Sequence, residues 1–343
     1  MKLELQRRTL ALRTPLRSAY GTVRERELII ATLTDGDGVQ GLGEAAPLQA
    51  YDGVSTERVI AALESYRPVL ARHEGEGGAA LLEACRRTHD EPAALAAIDI
   101  ALWDLAGQRA GRPVAALLTD DPPASVPVNA TLSALDRSQA AEQASRAVQA
   151  GFTCLKLKVG VGDDAGRLAA VRAAADPSTE LRLDANGAWS VQEAVRSIDA
   201  LAPAGLELVE EPTHGLREVR AVREQVAVRI AIDETAAEPG ALAAGVADAV
   251  CLKISRCGGI GGLVAAAALV RSTGAEVYVA STLDGPLGIA AGLHAAAALA
   301  SRGPVPHCGL ATLDLFTGIP NPLPVLAGAI AVPTGPGLGV GGF

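Results

Sequence analysis

The chain has 343 residues, of which 49% are hydrophobic, 20% are charged and 3% are aromatic, and its formal net charge is −9. The length exceeds the roughly 250 residues of one (β/α)8 barrel, so it leaves room for a second unit. An acidic balance without a run of basic residues excludes nucleic acid and anionic membranes as partners.

The cellular compartment is predicted from what the sequence lacks. Its five cysteines have no Cys-x-x-Cys spacing, and two of them, Cys154 and Cys251, fall in apolar strand patterns where a buried thiol is ordinary. The first residues alternate charged and apolar side chains instead of forming a leader, and no apolar stretch reaches the length of a membrane span. We therefore expect a cytoplasmic protein.

The first part of the chain predicts an α+β capping domain over residues 1–122. Strand patterns fill the first 50 residues and include an Asp-Gly turn at 35–38. Ala- and Leu-rich helical patterns follow from Ser55 to about Leu118, and the Pro-rich segment 120–123 joins them to the next unit.

A strand–helix rhythm then predicts a (β/α)8-type barrel over residues 123–318. The spacing is about one strand, one loop and one helix per unit, and Ser190 with Glu193 forms a capping box for one of these helices. The Gly- and Pro-rich tail, 319–343, is expected to return to the cap. The eight predicted strands begin near Val126, Cys154, Glu180, Leu206, Arg229, Ala249, Glu276 and His307.

Three consecutive barrel strands close on a carboxylate: Asp184, Glu210 and Asp233. Because the carboxyl ends of barrel strands meet at one mouth, these side chains are predicted to converge there. Three carboxylate oxygens suit Mg²⁺, or Mn²⁺ in its place, and leave positions for water or substrate oxygens. An acidic residue after a single strand often only caps the next helix, but three in succession favour a metal site.

The residues next to these ligands are predicted to support the site. Glu211 and Glu234 directly follow two of the carboxylates and, by strand alternation, point elsewhere, so we interpret them as partners of lysines. Asn186 follows Asp184 by two positions, shares its face and is predicted to orient a ligand.

Three lysines accompany the carboxylates. Lys156 and Lys158 are two residues apart on one strand, so both are predicted to face the barrel interior, and Lys253 approaches from the opposite side. A buried lysine is costly unless it is paired or used, and proximity to a cation and a second lysine should lower the pKa of one of them. The set indicates abstraction of a proton α to a carboxylate, with a divalent cation stabilising the enediolate.

These motifs resemble the enolase superfamily, in its muconate-lactonising subgroup, and the resemblance runs nearly end to end. The segments 41–45 and 97–107 resemble the end of the cap sheet and the helix that opens toward the barrel in that family. The resemblance implies that Lys158 is the base on one face of the substrate and Lys253 the group on the other. The matching motifs are Lys156/Lys158, Asp184/Asn186, Glu210/Glu211/Pro212, Asp233/Glu234 and Lys253.

The segment after the last strand bears on the substrate. Residues 309–316 resemble the Gly-Leu-x-Thr-Leu-x-Leu region of o-succinylbenzoate synthases, with Thr312 in the pattern. Dipeptide epimerases carry an Asp-x-Asp pair there for the substrate ammonium, and this chain has only Asp314. The resemblance also puts Asp284, which closes the seventh strand, near the site.

A loop of the cap supplies the remaining predicted contacts. In this family the loop corresponding to residues 14–26 closes over the barrel mouth. Here it carries Arg24 and Arg26, either of which would pair with a second carboxylate such as a succinyl arm. A solvated hairpin with its charges in water is the alternative. His294, in an Ala-rich helix, is interpreted as a packing residue.

We therefore expect an o-succinylbenzoate synthase, a lyase of menaquinone synthesis that forms a homo-oligomer and binds a small-molecule carboxylate. An isomerase remains as the alternative: a dipeptide epimerase, an N-acylamino acid racemase or, less favoured, a muconate cycloisomerase. A barrel retained only as a binding protein would predict a lost ligand or lysine, and none is lost.

Overall fold

The computed structural model describes residues 1–18, 21–133 and 136–341. Its N-terminal unit begins with an antiparallel three-stranded sheet in the order β1-β2-β3. Asp35 shapes the predicted turn between β2 and β3, since its Oδ1 accepts hydrogen bonds from the Asp37 and Val39 amides. The strands are β1 (Lys2–Ser18), β2 (Gly21–Thr34) and β3 (Gln40–Ala45).

The described part of the cap also has five helices, of which α2 and α4 pack on this sheet. The longest, α4, lies across β3 so closely that a Cβ on Gly43 would come 1.9 Å from the Ala97 carbonyl oxygen. Glycine is therefore required at that crossing, and the sheet and helix share one apolar core. The helices are α1 (Gln49–Asp52), α2 (Thr56–Arg72), α3 (Gly78–Thr88), α4 (Pro92–Ala110) and α5 (Val114–Leu118).

The second unit is a curled parallel sheet of seven strands, β5 to β11, surrounded by helices. The predicted capping box is present, because Ser190 and Glu193 each accept from the other's backbone amide. The strands from the start of this unit are β4 (Ser125–Pro127), β5 (Ala130–Leu132), β6 (Cys154–Lys158), β7 (Glu180–Asp184), β8 (Leu206–Glu210), β9 (Arg229–Ile232), β10 (Ala249–Leu252) and β11 (Glu276–Val279). The helices are α6 (Arg137–Gln149), α7 (Asp164–Ala174), α8 (Val191–Leu201), α9 (Leu216–Arg223), α10 (Ile260–Ser272) and α11 (Pro286–Ala300).

The barrel fold is confirmed, but its first and last strands differ from the prediction. The strand at Val126 is β4, which pairs outside the barrel, and β5 is the first barrel strand. At the last position, Cys308 and Gly309 form isolated parallel bridges to Val128 and Ala280 instead of a full strand. A run of apolar residues predicts a strand but does not identify its pairing partner. The partner of β4 is a strand of the tail about 200 residues away.

The C-terminal tail contacts both units. Its hairpin, β12 (Val325–Leu326) and β13 (Ala329–Ala331), pairs with β4 of the barrel unit. Farther on, the Leu338 amide donates to Asp104 of α4 at 2.8 Å, and the Val114 amide of α5 donates to the Gly337 carbonyl at 2.9 Å. The tail therefore joins the floor of the barrel to the cap helices. Within the described ranges, none of the helices combines the length and the apolarity that a membrane span requires.

Candidate active site

The predicted site residues converge at the mouth of the barrel. Lys158, Asp184 and Glu210 are aligned neighbours on β6, β7 and β8, because the register pairs Lys158 with Asp184 and Asp184 with Glu210. Asp233 follows the end of β9, and Lys253 follows the end of β10. These side chains therefore lie together at the carboxyl ends of the barrel strands.

Ion pairs tie the lysines to the carboxylates. The Lys156 Nζ lies 3.0 Å from both Asp184 Oδ2 and Glu210 Oε1, so one ammonium group bridges two acids. The Lys158 Nζ lies 2.6 Å from Asp184 Oδ2, and Lys253 contacts Asp233 Oδ2. These pairs compensate the cost of burying the charges.

The carboxylates around Lys156 and Lys253 raise the pKa of both side chains. Burial disfavours the charged ammonium of Lys156, but the carboxylates of Asp184 and Glu210 outweigh it and raise its pKa above the ordinary value. The pKa of Lys253 is also raised, because Asp233 outweighs burial in the same way. For Asp184, burial opposes ionisation, but Lys156 and Lys158 hold its pKa well below the usual range.

The donor atoms fit a hard divalent cation. Glu210 and Asp233 each present an oxygen within 4.8 Å of the other, and Asp184 is joined to Glu210 through the Lys156 ammonium. Carboxylate oxygens in this number are the ligands that Mg²⁺ selects. The Cys251 thiol lies within the same 4.8 Å group, so a cysteine that the sequence assigned only to the core borders the site.

The neighbouring polar residues hold the ligands and the base. The Asn186 Oδ1 accepts from Lys158 Nζ at 2.9 Å, and its Nδ2 donates to Glu234 Oε1 at 3.0 Å. Glu211 accepts from the amides of Asp233, at 2.7 Å, and Thr235, at 2.9 Å. Glu211 therefore holds the loop that carries Asp233, and Glu234 holds Asn186. The sequence predicts instead that both glutamates are partners of lysines.

Two contacts on Asp233 escaped the sequence analysis. The Tyr51 hydroxyl, from the cap, donates to Asp233 Oδ1 at 2.8 Å and accepts from Lys253 Nζ at 2.8 Å. Arg256 donates to the Asp233 carbonyl oxygen at 2.9 Å. Arg256 follows Lys253 by three residues, so its position near the site could have been predicted from the sequence. The contact of Tyr51 with Asp233, 182 residues away, has no signal in the sequence.

The pocket above these groups is a cavity of about 120 Å³. Lys156, Lys158 and Lys253 lie at its base with Asp184, Asn186 and Asp233. The described residues of its outer wall are apolar or carry hydroxyl groups: Leu16, Val23, Leu48, Ala50, Tyr51, Thr131, Ala280, Ser281, Thr282, Leu283, Gly309, Thr312 and Leu315. Thr312 therefore lines the cavity, and its contact with the substrate stays a prediction.

Three other predicted contacts lie away from this cavity. Arg24 is exposed on β2. Arg26 is buried and donates to the carbonyl oxygens of Ala46, at 2.8 Å, and Pro47, at 2.7 Å. Asp284 is buried and accepts from the Thr282 hydroxyl at 2.7 Å. Positions 19 and 20 of the cap loop lie outside the described residues.

His294 is a packing residue, as predicted. It is fully buried in α11, and its Nδ1 accepts from the Ala115 amide of the cap. Burial lowers its pKa to about 4, so the ring is neutral near pH 7. It helps to join the last barrel helix to α5.

Family models and relatives agree with this geometry. Residues 2–119 match the mandelate racemase / muconate lactonizing enzyme N-terminal domain, and residues 139–341 match the enolase C-terminal domain-like family. The chain belongs to the enolase superfamily, in its muconate-lactonising subgroup. It is therefore an enzyme of that superfamily, and its chemistry is abstraction of a proton α to a carboxylate.

The relatives within the superfamily have several activities. The L-Ala-D/L-Glu epimerase of Bacillus subtilis is 31% identical over 99% of this chain and 96% of the relative. The o-succinylbenzoate synthase of Thermobifida fusca is 41% identical, but over 56% of this chain and 61% of the relative. The dipeptide epimerase of Enterococcus faecalis, solved with Mg and L-Leu-L-Tyr, superimposes with a TM-score of 0.90 at 28% identity and covers 98% of both chains.

Proposed function

We propose that this superfamily member is a Mg²⁺-dependent o-succinylbenzoate synthase, which dehydrates a cyclohexadiene carboxylate to 2-succinylbenzoate in menaquinone synthesis. The observation that carries the proposal is the outer wall of the pocket, which is built from apolar and hydroxyl side chains. Such a wall suits a carbocyclic ring, and the wall residues that the structure describes include no carboxylate for a substrate ammonium. The higher identity to an o-succinylbenzoate synthase over part of the chain gives further support.

The end of the barrel supports the same choice. Thr312 faces the Ser281 hydroxyl, with the two oxygens 2.9 Å apart. Asp314 is exposed, and its Oδ1 accepts from the Asn321 side chain at 2.9 Å. The single acid of this segment therefore points to another loop, and the anion pair expected of a dipeptide epimerase is missing.

The proposed mechanism assigns one role to each group. Asp184, Glu210 and Asp233 would hold Mg²⁺, or Mn²⁺ in its place. When bound, the cation would supply Lewis-acid stabilisation of the negative charge that develops on the substrate carboxylate. Lys158, oriented by Asn186, takes the α-proton on its Nζ.

Lys158 then returns that proton to the departing β-hydroxyl group. The C–O bond breaks, water leaves and the ring becomes aromatic. Lys253 remains protonated on the other face and stabilises the negative charge. Each turnover therefore ends with the protonation states with which it began.

The second candidate is an isomerase, a dipeptide epimerase or an N-acylamino acid racemase. Two observations favour it: Lys158 and Lys253 both line the pocket, and the epimerase relatives match nearly the whole chain. In that reaction one lysine removes the α-proton and the other delivers a proton to the opposite face. An N-acyl substrate carries no ammonium group, so it also suits the apolar wall.

One assay separates these functions. The protein is incubated with Mg²⁺ in D₂O with the cyclohexadiene substrate, with L-Ala-D-Glu or with an N-succinylamino acid. Dehydration is followed by ultraviolet absorbance, and deuterium at the α-carbon is followed by NMR. We expect aromatic product from the first substrate as the fastest reaction. Faster deuterium incorporation into either amino acid derivative would overturn the synthase assignment.

A further inference from the structure

Tyr278 lies inside the barrel beneath the proposed cation site. It is the third residue of β11, it is 1% exposed, and its hydroxyl donates to Glu210 Oε2 at 2.7 Å. A buried phenol without a hydrogen-bond partner is destabilising, so this contact constrains both side chains. The pairing joins residues 68 positions apart and is invisible in the sequence.

The two oxygens of Glu210 are held unequally. Lys156 Nζ donates to Oε1 at 3.0 Å and to Oε2 at 3.1 Å, and Tyr278 adds a second donor to Oε2 alone. Among these contacts Oε1 accepts a single hydrogen bond. Oε1 is therefore the oxygen with more capacity for a cation, and the phenol keeps Oε2 turned away.

Tyr278 is itself fixed from the floor of the barrel. The Arg182 guanidinium lies 5.1 Å from the centre of its ring, in cation–π contact. Arg182 is fully buried, and it donates to Glu207 Oε1 at 3.0 Å and to the His307 carbonyl oxygen at 2.6 Å. The ring therefore rests on a charged group that is anchored at two further points.

We propose that Tyr278 is a positioning residue that keeps Glu210 monodentate and so makes the site selective for Mg²⁺ over Ca²⁺. Mg²⁺ takes octahedral oxygen ligands at about 2.0–2.1 Å, whereas Ca²⁺ takes them at about 2.3–2.6 Å and accepts bidentate carboxylates. Removing the phenolic hydroxyl frees Glu210 to turn and offer both oxygens. The inference rests on the metal ligands proposed above but on neither candidate substrate.

The test is Tyr278→Phe, which retains the ring and removes one oxygen. MgCl₂ and CaCl₂ are titrated separately into the protein by calorimetry, without substrate. We expect the Kd for Mg²⁺ to rise by about 10-fold, as for other groups that orient metal ligands. The Kd for Ca²⁺ should change by less than about threefold, so the preference for Mg²⁺ falls.

Tyr66→Phe is the matched control. Tyr66 is also buried, but its hydroxyl donates to the His89 carbonyl oxygen in the cap, far along the chain from the site. Both Kd values should remain those of the wild type. Circular dichroism in EDTA shows whether each variant is folded. If Tyr278→Phe does not fold, Tyr278→Leu replaces it, and the same loss of Mg²⁺ preference is expected.

Two results would overturn the proposal. The first is an unchanged Kd for Mg²⁺ in Tyr278→Phe, and the second is an equal weakening of Mg²⁺ and Ca²⁺ that leaves their ratio constant. A wild-type protein that binds neither cation would refute the ligand set itself. A protein that binds Mg²⁺ selectively but fails to dehydrate the cyclohexadiene substrate would refute only the proposed function.

Discussion

Lysine is rare in this chain and concentrated at one place. Only four of its 30 basic residues are lysines, and three of them are Lys156, Lys158 and Lys253. Arginine is not deprotonated in proteins, so it cannot replace lysine where a base is needed. The use of lysine at the barrel mouth, in a chain that elsewhere uses arginine, therefore matches proton abstraction.

Neighbouring lysines nevertheless have different surroundings. Lys156 bridges two carboxylates, Asp184 and Glu210, and serves to neutralise their charge. Lys158 contacts one carboxylate and the neutral amide oxygen of Asn186. Because Lys158 is less committed to ion pairs, it is the better candidate for the base.

The first prediction concerns this base. Lys158→Ala should lower kcat by about 10²- to 10⁴-fold, the usual range for loss of a general acid–base group. The cation should still bind, because Asp184, Glu210 and Asp233 remain. Steady-state kinetics and Mg²⁺ calorimetry on the same preparation measure the two properties. Turnover near the wild-type rate would show that another group is the base.

At the scale of elements, the ends of strands carry the chemistry and the loops after them carry specificity. The alternation Cys154-Leu-Lys-Leu-Lys158 in β6 directs both lysines inward, as period-two geometry requires. The segment that begins at Gly309 is irregular, and it contributes Thr312 and Leu315 to the lining of the cavity.

Thr312→Asp tests this last segment, because it would place a carboxylate two residues before Asp314. A negative charge facing Ser281 repels an anionic substrate, so kcat/KM for dehydration should fall by about 10-fold or more. Thr312→Ser retains the hydroxyl and should stay within about threefold of the wild type. An unchanged kcat/KM in Thr312→Asp would show that this segment does not contribute to substrate specificity.

The contact between β3 and α4 gives a prediction about stability. Gly43→Ala forces a Cβ to within 1.9 Å of the Ala97 carbonyl oxygen, and backbone of both elements must move. We expect the free energy of unfolding to fall by about 3 kcal/mol, measured in urea. In Gly78→Ala, whose new Cβ meets nothing closer than 3.8 Å, the change should stay within about 1 kcal/mol. Equal stability of the two variants would contradict the close packing.

At the scale of the molecule, buried titratable groups join the cap to the barrel. Glu44, from β3, accepts from the Gly285 amide at 2.7 Å, where α11 begins. Burial, followed by the neighbouring Asp284 carboxylate, raises the pKa of Glu44 to about 8, while Arg26 opposes the shift. Two residues predicted to touch the substrate, Arg26 and Asp284, belong to this junction.

The raised pKa of Glu44 predicts how stability depends on pH. The folded protein retains a proton on Glu44 up to about pH 8, whereas its ordinary pKa is 4.5. Its contribution to the free energy of unfolding is complete below pH 4.5 and is lost as the pH rises through 8, by about 1.4 kcal/mol per pKa unit. Urea unfolding of Glu44→Gln between pH 5 and about pH 9 should therefore show a shallower loss than the wild type.

The control is Glu25→Gln, on the exposed side of β2. It removes a carboxylate of the same kind without touching the junction, so its pH dependence should match the wild type. Other acids with a raised pKa, such as Glu234, are present in all three proteins and cancel in the comparison. If the free energy of unfolding of wild type and Glu44→Gln depends on pH in the same way, Glu44 does not contribute to the pH dependence of stability.

The sequence by itself was enough to predict the barrel fold, the candidate metal-binding carboxylates and the inward direction of the lysine side chains. It did so because strand alternation and strand ends are local features, and parallel topology brings those ends together without further information. The tertiary structure alone decided that Tyr51 reaches Asp233, that Tyr278 holds Glu210 and that Arg26 and Asp284 meet at the junction. These contacts join residues far apart in the chain, and their partners are fixed only when the barrel closes and the cap packs on it.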